Sequence, residues 1–154
     1  MASIGVGDRA PDFSLPSQTG EAVRLSDFLG HKAVVLFFYP KDGTAVCTKE
    51  ACSFRDAYED FFQAGAVVIG VSSDSAKKHQ AFASGHRLPF LLLSDAGGEL
   101  RKAFGVPRTL GFLPGRVTYV IDKDGVVRHV FNSQFAADRH VSEALAVVRQ
   151  LAGS

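Results

Sequence analysis

The sequence predicts an α/β fold in which a central mixed β-sheet is flanked by helices on both faces. Strand-like and helix-like patterns alternate along the chain, and this order places helices against a sheet. Residues 33–39 and 66–72 are continuously apolar and rich in β-branched side chains, as strands covered on both faces are. The length of 154 residues suits one domain, residues 1–154, with a single core.

The first elements are short. We predict, in chain order, an early hairpin, one helical turn that ends at a glycine, the first buried strand and a loop (residues 12–15 with 22–25, 26–30, 33–39, and 40–45). An amphipathic helix follows over residues 46–64, because apolar residues recur there at helical spacing: Ala51, Phe54, Ala57, Tyr58, Phe61 and Phe62. Gly65 ends this helix, and the second buried strand begins directly after it.

The second half continues the alternation. Asp74 or Ser75 caps a helix that runs to about Ser84. The later elements are a strand, a short helix, a β-hairpin with its turn at residues 123–125, and a last helix (residues 89–93, 97–104, 117–122 with 126–131, and from Asp138). In such sheets, binding and catalytic sites form where loops leave the carboxyl ends of strands. The loop after the first buried strand is such a place, and it leads directly to Cys47.

Cys47 lies in the predicted first turn of a helix, where backbone N–H groups lack partners and favour negative charge. A free cysteine is only about 3% thiolate at neutral pH, so a reactive thiol needs a helix N-terminus or a nearby cation to lower its pKa. Thr44, just before this turn, can cap the helix or hydrogen-bond the sulfur. The alternative is that Cys47 and Cys52 are two small apolar residues on a helix.

The chain has two cysteines, five residues apart. On a regular helix their Cα atoms would be about 8–9 Å apart, and a disulfide needs about 7 Å or less. We therefore predict a reduced, helical state and an oxidised state in which the helix has locally unfolded. The five histidines are scattered and none is next to a cysteine in sequence, so a structural zinc with its four ligands is not expected.

The motif P-x-x-x-T-x-x-C, formed by Pro40, Thr44 and Cys47, resembles that of the peroxiredoxins. A second cysteine five residues later, at Cys52, resembles the peroxiredoxin Q group, also called bacterioferritin comigratory proteins. The likeness covers nearly the whole chain and includes the segments CTKEACSFRDAYEDFF and LPGRVTYVIDKDGVV. Ala45 departs from it, because the group usually has proline at this position.

This resemblance implies a thioredoxin-like fold and a cycle of two cysteines. Cys47 would attack hydrogen peroxide or an organic hydroperoxide and become a sulfenic acid, and Cys52 would condense with it to a disulfide. Thioredoxin or a similar thiol would reduce the disulfide. Thr44 would orient the peroxide, and Pro40 would shield the sulfenic acid. No metal or organic cofactor is implied, because sulfur carries the electrons.

The resemblance also implies that an arginine lies beside the catalytic sulfur, and Arg116 is at the matching position. Taken by itself, Arg116 can equally be an exposed surface residue at the start of a strand. Next to Cys47 it would hold the thiolate and the polarised peroxide. Glu50 is expected on a solvated helix face, although a role in proton transfer is the alternative.

Composition excludes several other classes. The net charge of +1 and the absence of a basic cluster argue against nucleic acid or an anionic membrane as partner. A redox sensor and a protein dithiol–disulfide relay remain open, although a relay typically uses C-x-x-C.

A resolving cysteine in the same chain predicts a monomer. The cytoplasm is the expected location, and a plastid is the alternative, since the peroxiredoxin Q group occurs there too.

Overall fold

The computed structural model describes residues 4–106, 108–109 and 113–152. Their elements, in chain order, are β1 (Ser14–Pro16), β2 (Ala22–Arg24), a 3₁₀ turn (Leu25–Asp27), β3 (Ala33–Phe38), α1 (Ala45–Asp56), α2 (Tyr58–Gln63), β4 (Ala66–Ser72), α3 (Ala76–His86), β5 (Leu91–Ser94), α4 (Glu99–Phe104), β6 (Arg108–Thr109), β7 (Leu113–Pro114), β8 (Val117–Ile121), β9 (Val127–Asn132) and α5 (Ala137–Ala152). The β6–β7 pair was not predicted, because two-residue strands leave no periodic pattern.

A five-stranded mixed sheet lies at the centre, in the order β5-β4-β3-β8-β9. β3, β4 and β5 are parallel, whereas β8 is antiparallel to β3 and β9 is antiparallel to β8. β1 and β2 form the expected small hairpin. The predicted α/β class with a mixed sheet is therefore confirmed, and so is the hairpin formed by β8 and β9.

β3 is buried on both faces, which explains its unbroken apolar sequence. Alternate residues of a strand point to opposite faces. Val35 and Phe37 belong to one core cluster, which is shared with α1, α2 and α5. Leu36 and Phe38 belong to a second cluster, which is shared with the β1–β2 hairpin and α4. The two clusters together hold the sheet between two layers, and β3 positions the loop that follows it.

The helix predicted over residues 46–64 is two helices, and this is a correction. α1 ends at Asp56 and α2 begins at Tyr58, with Ala57 between them at φ −96° and ψ 0°. Packing overrides the continuous sequence pattern here. Phe61 of α2 is fully buried in the core, its ring centroid 5.7 Å from that of Phe54. Phe62, expected on the apolar face, is instead 54% exposed.

Gly70 in β4 lies between bulky neighbours on the two adjacent strands. A Cβ built on Gly70 would meet Phe37 Cζ and Leu92 Cδ2, both at 2.8 Å. We expect Gly70→Ala to lower the free energy of unfolding by about 1–3 kcal/mol through overpacking, as measured by urea denaturation. Gly85→Ala is the control, since its Cβ would meet nothing within 4 Å and alanine favours a helix by about 0.5–1 kcal/mol. Equal stability of the two variants would contradict this expectation.

The register of the sheet brings three chain segments to one edge. Phe38, the last residue of β3, is opposite Val71 of β4 and Val117, the first residue of β8. The loop after β3 and the residue before β8 therefore meet at this edge. In the described part of the chain, no helix has the length and apolar character that a membrane crossing requires.

Candidate active site

Cys47 occupies the third position of α1, and its side chain is only 1% exposed. Thr44 precedes the helix at the N-cap position, and the first turn carries no acidic residue. The unpaired N–H groups of this turn and the positive end of the helix dipole therefore act on the sulfur without competition from a carboxylate in that turn. The expected position of Cys47 at a helix start is found.

Arg116, the residue before β8, contacts the Cys47 sulfur. Its Nη2 donates to Cys47 Sγ at 3.1 Å, its Nη1 donates to Glu50 Oε1 at 2.7 Å, and its Nε donates to the carbonyl oxygen of Gln134 at 2.9 Å. The arginine is 3% exposed, so it is not a surface residue. Burial opposes its charge, but Glu50 and Cys47 outweigh that effect and raise the pKa of the guanidinium.

Glu50 is completely buried, so the expectation of a solvated helix face was wrong. It lies three residues after Cys47, on the same face of α1, and both side chains meet the Arg116 guanidinium. Burial raises the pKa of Glu50 from 4.5 to about 7, although Arg116 opposes the shift. The i, i+3 spacing from the cysteine was the only signal in the sequence that placed Glu50 at the site.

The second carboxylate oxygen of Glu50 faces His140 of α5. Glu50 Oε2 lies 3.5 Å from His140 Nδ1 and has no hydrogen-bond partner among the described residues. His140 Nδ1 is 2.7 Å from Thr118 Oγ1, and Nε2 donates to the Ser133 carbonyl oxygen at 2.7 Å. Burial lowers the pKa of His140 to about 4. Glu50 and His140 are therefore two buried neighbours of Arg116 whose pKa values are shifted in opposite directions.

Thr44 differs from its expected role as a capping residue. Its hydroxyl donates to the Lys41 carbonyl oxygen at 2.9 Å, and α1 has no side-chain cap. Within the described residues, no hydrogen bond joins this hydroxyl to the Cys47 sulfur. Thr44 is exposed and Pro40 is half-buried, and these two residues flank the loop between β3 and α1. Ala45, at the usual proline position, is the first residue of the helix.

A buried polar network holds this loop, and no sequence pattern predicted it. Asp42 Oδ1 accepts from the Tyr39 hydroxyl at 2.5 Å, and Asp42 Oδ2 lies 2.6 Å from His79 Nδ1. His79 Nε2 donates to the Leu93 carbonyl oxygen at 2.9 Å. The Asp42 N–H donates to Asp74. Although Asp42, Asp74 and His79 lie close together, each side chain is hydrogen-bonded within the network, which anchors the loop.

Cys52 lies in the same helix as Cys47 and is half-buried. Both thiols are free, and α1 is continuous through both positions. The Cys52 sulfur is 3.8 Å from His86 Nδ1 at the end of α3. No histidine is next to a cysteine in the sequence, but the fold brings His86 of α3 into contact with Cys52.

The family model described as "AhpC/TSA family" matches residues 6–130. The chain belongs to this family, and it is a thiol-dependent peroxidase. The match spans β3, the loop, α1 and Arg116, and so contains all the groups around Cys47 except those of α5 and the loop before it.

Within the family, the chain is of the peroxiredoxin Q kind. The chloroplastic peroxiredoxin Q of Triticum aestivum is 52% identical over 149 residues, covering 96% of this chain and 68% of the relative. The crystal structure of peroxidoxin BcpB from Mycobacterium tuberculosis has 44% identity and a TM-score of 0.89 over 96% of this chain and 98% of that one. The bacterioferritin comigratory protein of Xanthomonas campestris has 28% identity and a TM-score of 0.86, with 99% of each chain covered. These likenesses confirm the thioredoxin-like fold.

Proposed function

We propose that this chain reduces hydrogen peroxide and organic hydroperoxides through a Cys47 sulfenic acid and a Cys47–Cys52 disulfide. Thioredoxin or a related thiol donor then reduces the disulfide. The observation that carries the proposal is the contact of 3.1 Å between Arg116 Nη2 and Cys47 Sγ in the first turn of α1. The Xanthomonas protein is described as having alkyl peroxide reduction activity, which supports organic hydroperoxides as one substrate class.

The first step is attack by the Cys47 thiolate on one peroxide oxygen. The O–O bond breaks, the sulfur becomes a sulfenic acid, and the other oxygen leaves with a negative charge and takes up a proton. Fixed donors stabilise such developing charge best in a site that excludes water. Arg116 and the N–H groups of the first turn of α1 supply these donors at the buried sulfur.

We assign Thr44 and Pro40 to the approach of the peroxide. Both lie just before Cys47 in the chain, where Thr44 is exposed and Pro40 is half-buried. The Thr44 hydroxyl, held on Lys41 O in the free enzyme, would turn to the bound peroxide and orient it. Pro40 has no N–H to attract water, and it would limit hydration of the sulfenic acid.

The second step joins Cys47 to Cys52. Five residues of regular helix hold the two Cα atoms about 8–9 Å apart, beyond the reach of a disulfide. α1 must therefore open locally before the bond forms. A resolving cysteine in the same chain needs no second subunit, so we propose a monomer, which size-exclusion chromatography with light scattering can measure.

We expect Cys47 to react with hydrogen peroxide about 10³-fold faster than free cysteine, or more, since thiolate and leaving oxygen are both stabilised. The chain lacks tryptophan, so tryptophan fluorescence cannot report the reaction. Rapid quenching with mass spectrometry can follow it instead. Cys47→Ser should abolish the reaction. Cys52→Ser should retain the attack but lose turnover with thioredoxin. A rate equal to that of free cysteine would favour a sensor or a dithiol–disulfide relay instead.

For the location we propose the cytoplasm, with a plastid as the alternative. The wheat relative is chloroplastic, whereas the Mycobacterium and Xanthomonas proteins come from bacteria. The thiol donor would differ accordingly. Comparing thioredoxins of plastid and bacterial origin as reductants in the same turnover assay would separate the two settings.

A further inference from the structure

Cys52 lies at the interface between α1 and α3, where a second set of polar groups surrounds it. Its sulfur is 3.8 Å from His86 Nδ1. Arg55, three residues later on α1, donates from Nη1 to the His86 carbonyl oxygen at 2.9 Å. The His86 ring packs edge-on against Phe82, with their centroids 5.0 Å apart. The imidazole therefore lies beside the second thiol and is packed against Phe82.

We propose that His86 is the base that activates Cys52 for disulfide formation, an inference that rests on the function proposed above. His86 Nδ1 faces the sulfur, and a neutral imidazole with its proton on Nε2 can accept a proton at Nδ1. The thiolate, rather than the thiol, is the attacking form in such exchange. Arg55 positions His86 through its carbonyl group and lies on the same helix face as Cys52.

The atoms of this step balance without any further reactant. His86 takes the proton from the Cys52 thiol, and the resulting thiolate attacks the sulfur of the Cys47 sulfenic acid. The S–O bond breaks, the S–S bond forms, and hydroxide leaves. Protonated His86 returns its proton to the hydroxide, so the products are the disulfide and water. Cys52 is oxidised, and the sulfenic sulfur is reduced.

The same contacts indicate which end of α1 moves. The second half of the helix is held by Arg55 on His86 and by Phe54, which is fully buried. The first turn has no side-chain cap, and one contact that holds it is the hydrogen bond from Arg116 to the Cys47 sulfur. Oxidation to a neutral sulfenic acid weakens that contact. We therefore expect the first turn to open and Cys47 to move towards Cys52, which stays beside His86.

His86→Gln tests the assignment, because glutamine keeps polarity but does not accept the proton. In rapid-quench mass spectrometry after one equivalent of hydrogen peroxide, sulfenic acid should form at the wild-type rate. Its conversion to disulfide should slow about 100-fold, at the lower end of general-base effects. Arg55→Gln should slow the same conversion as well, since it removes both the hydrogen bond to His86 and a positive charge near Cys52. The control is His31→Gln, at an exposed turn residue, and both of its rates should stay unchanged.

A second measurement does not depend on turnover. In a Cys47→Ser background, iodoacetamide should alkylate Cys52 more slowly when His86 is also replaced by glutamine, with His31→Gln again neutral. Unchanged disulfide formation and unchanged alkylation in His86→Gln would overturn the assignment of His86 alone. If the wild-type protein forms no Cys47–Cys52 disulfide, the proposed function fails as well, so the two failures are distinguishable.

Discussion

Arg116→Met is expected to slow the attack of Cys47 on hydrogen peroxide by about 10²–10³-fold, the usual loss when one fixed donor to a developing negative charge is removed. Methionine occupies similar space, but it cannot donate to the Cys47 sulfur or to Glu50. The rate of sulfenic acid formation under single-turnover conditions gives the result directly. Attack at the wild-type rate would show that the guanidinium does not assist the chemistry.

The same variant should also be less stable, because it leaves the Glu50 carboxylate buried without its cation. Removing one partner of a buried ion pair costs about 3–5 kcal/mol. This loss should be largest above pH 7 and smaller near pH 5, where Glu50 is protonated, since its pKa is already raised to about 7. Arg149→Met is the matched control, since the exposed pair of Arg149 with Asp60 should contribute about 1 kcal/mol or less.

Glu50→Gln is expected to change how stability depends on pH. The pKa of Glu50 is raised from 4.5 to about 7 in the folded protein, so its contribution to stability is complete below about pH 4.5 and is lost as the pH rises to 7. His140 is opposite, because its pKa falls from 6.5 to about 4. The folded protein therefore loses stability as the pH falls from 6.5 to 4. In the wild type these two slopes largely cancel between about pH 4.5 and 6.5.

In Glu50→Gln only the His140 contribution remains. Between pH 4.5 and 6.5, its free energy of unfolding should rise by about 1–3 kcal/mol relative to the wild type. Urea denaturation across this range measures the difference, and comparison with the wild type removes the contributions of all other groups. Glu21→Gln, at an exposed position, should follow the wild-type curve. Parallel curves for Glu50→Gln and the wild type would show that Glu50 is not buried as a proton-binding group.

Local patterns predicted most of the sheet but little of the chemistry behind Cys47. β3 and β4 follow from their apolar runs, and the start of α1 follows from the loop that precedes it. Arg116 could be assigned only by resemblance, because its contact with Cys47 spans 69 residues and depends on the pairing of β3 with β8. Helical periodicity could not show that a tertiary contact would bury Glu50, since a charged residue in a helix is ordinarily solvated.

The interruption at Ala57 limits how far a redox-driven rearrangement extends along the chain. Ala57 has dihedral angles of φ −96° and ψ 0°, outside the helical range, and so separates α1 from α2, and α2 contributes Phe61 separately to the core. Melting that begins at Thr44 would therefore meet a boundary before it reached α2. Each oxidation cycle would then disturb only one helix, while the packed layer beneath it remains folded and guides the helix back when the disulfide is reduced.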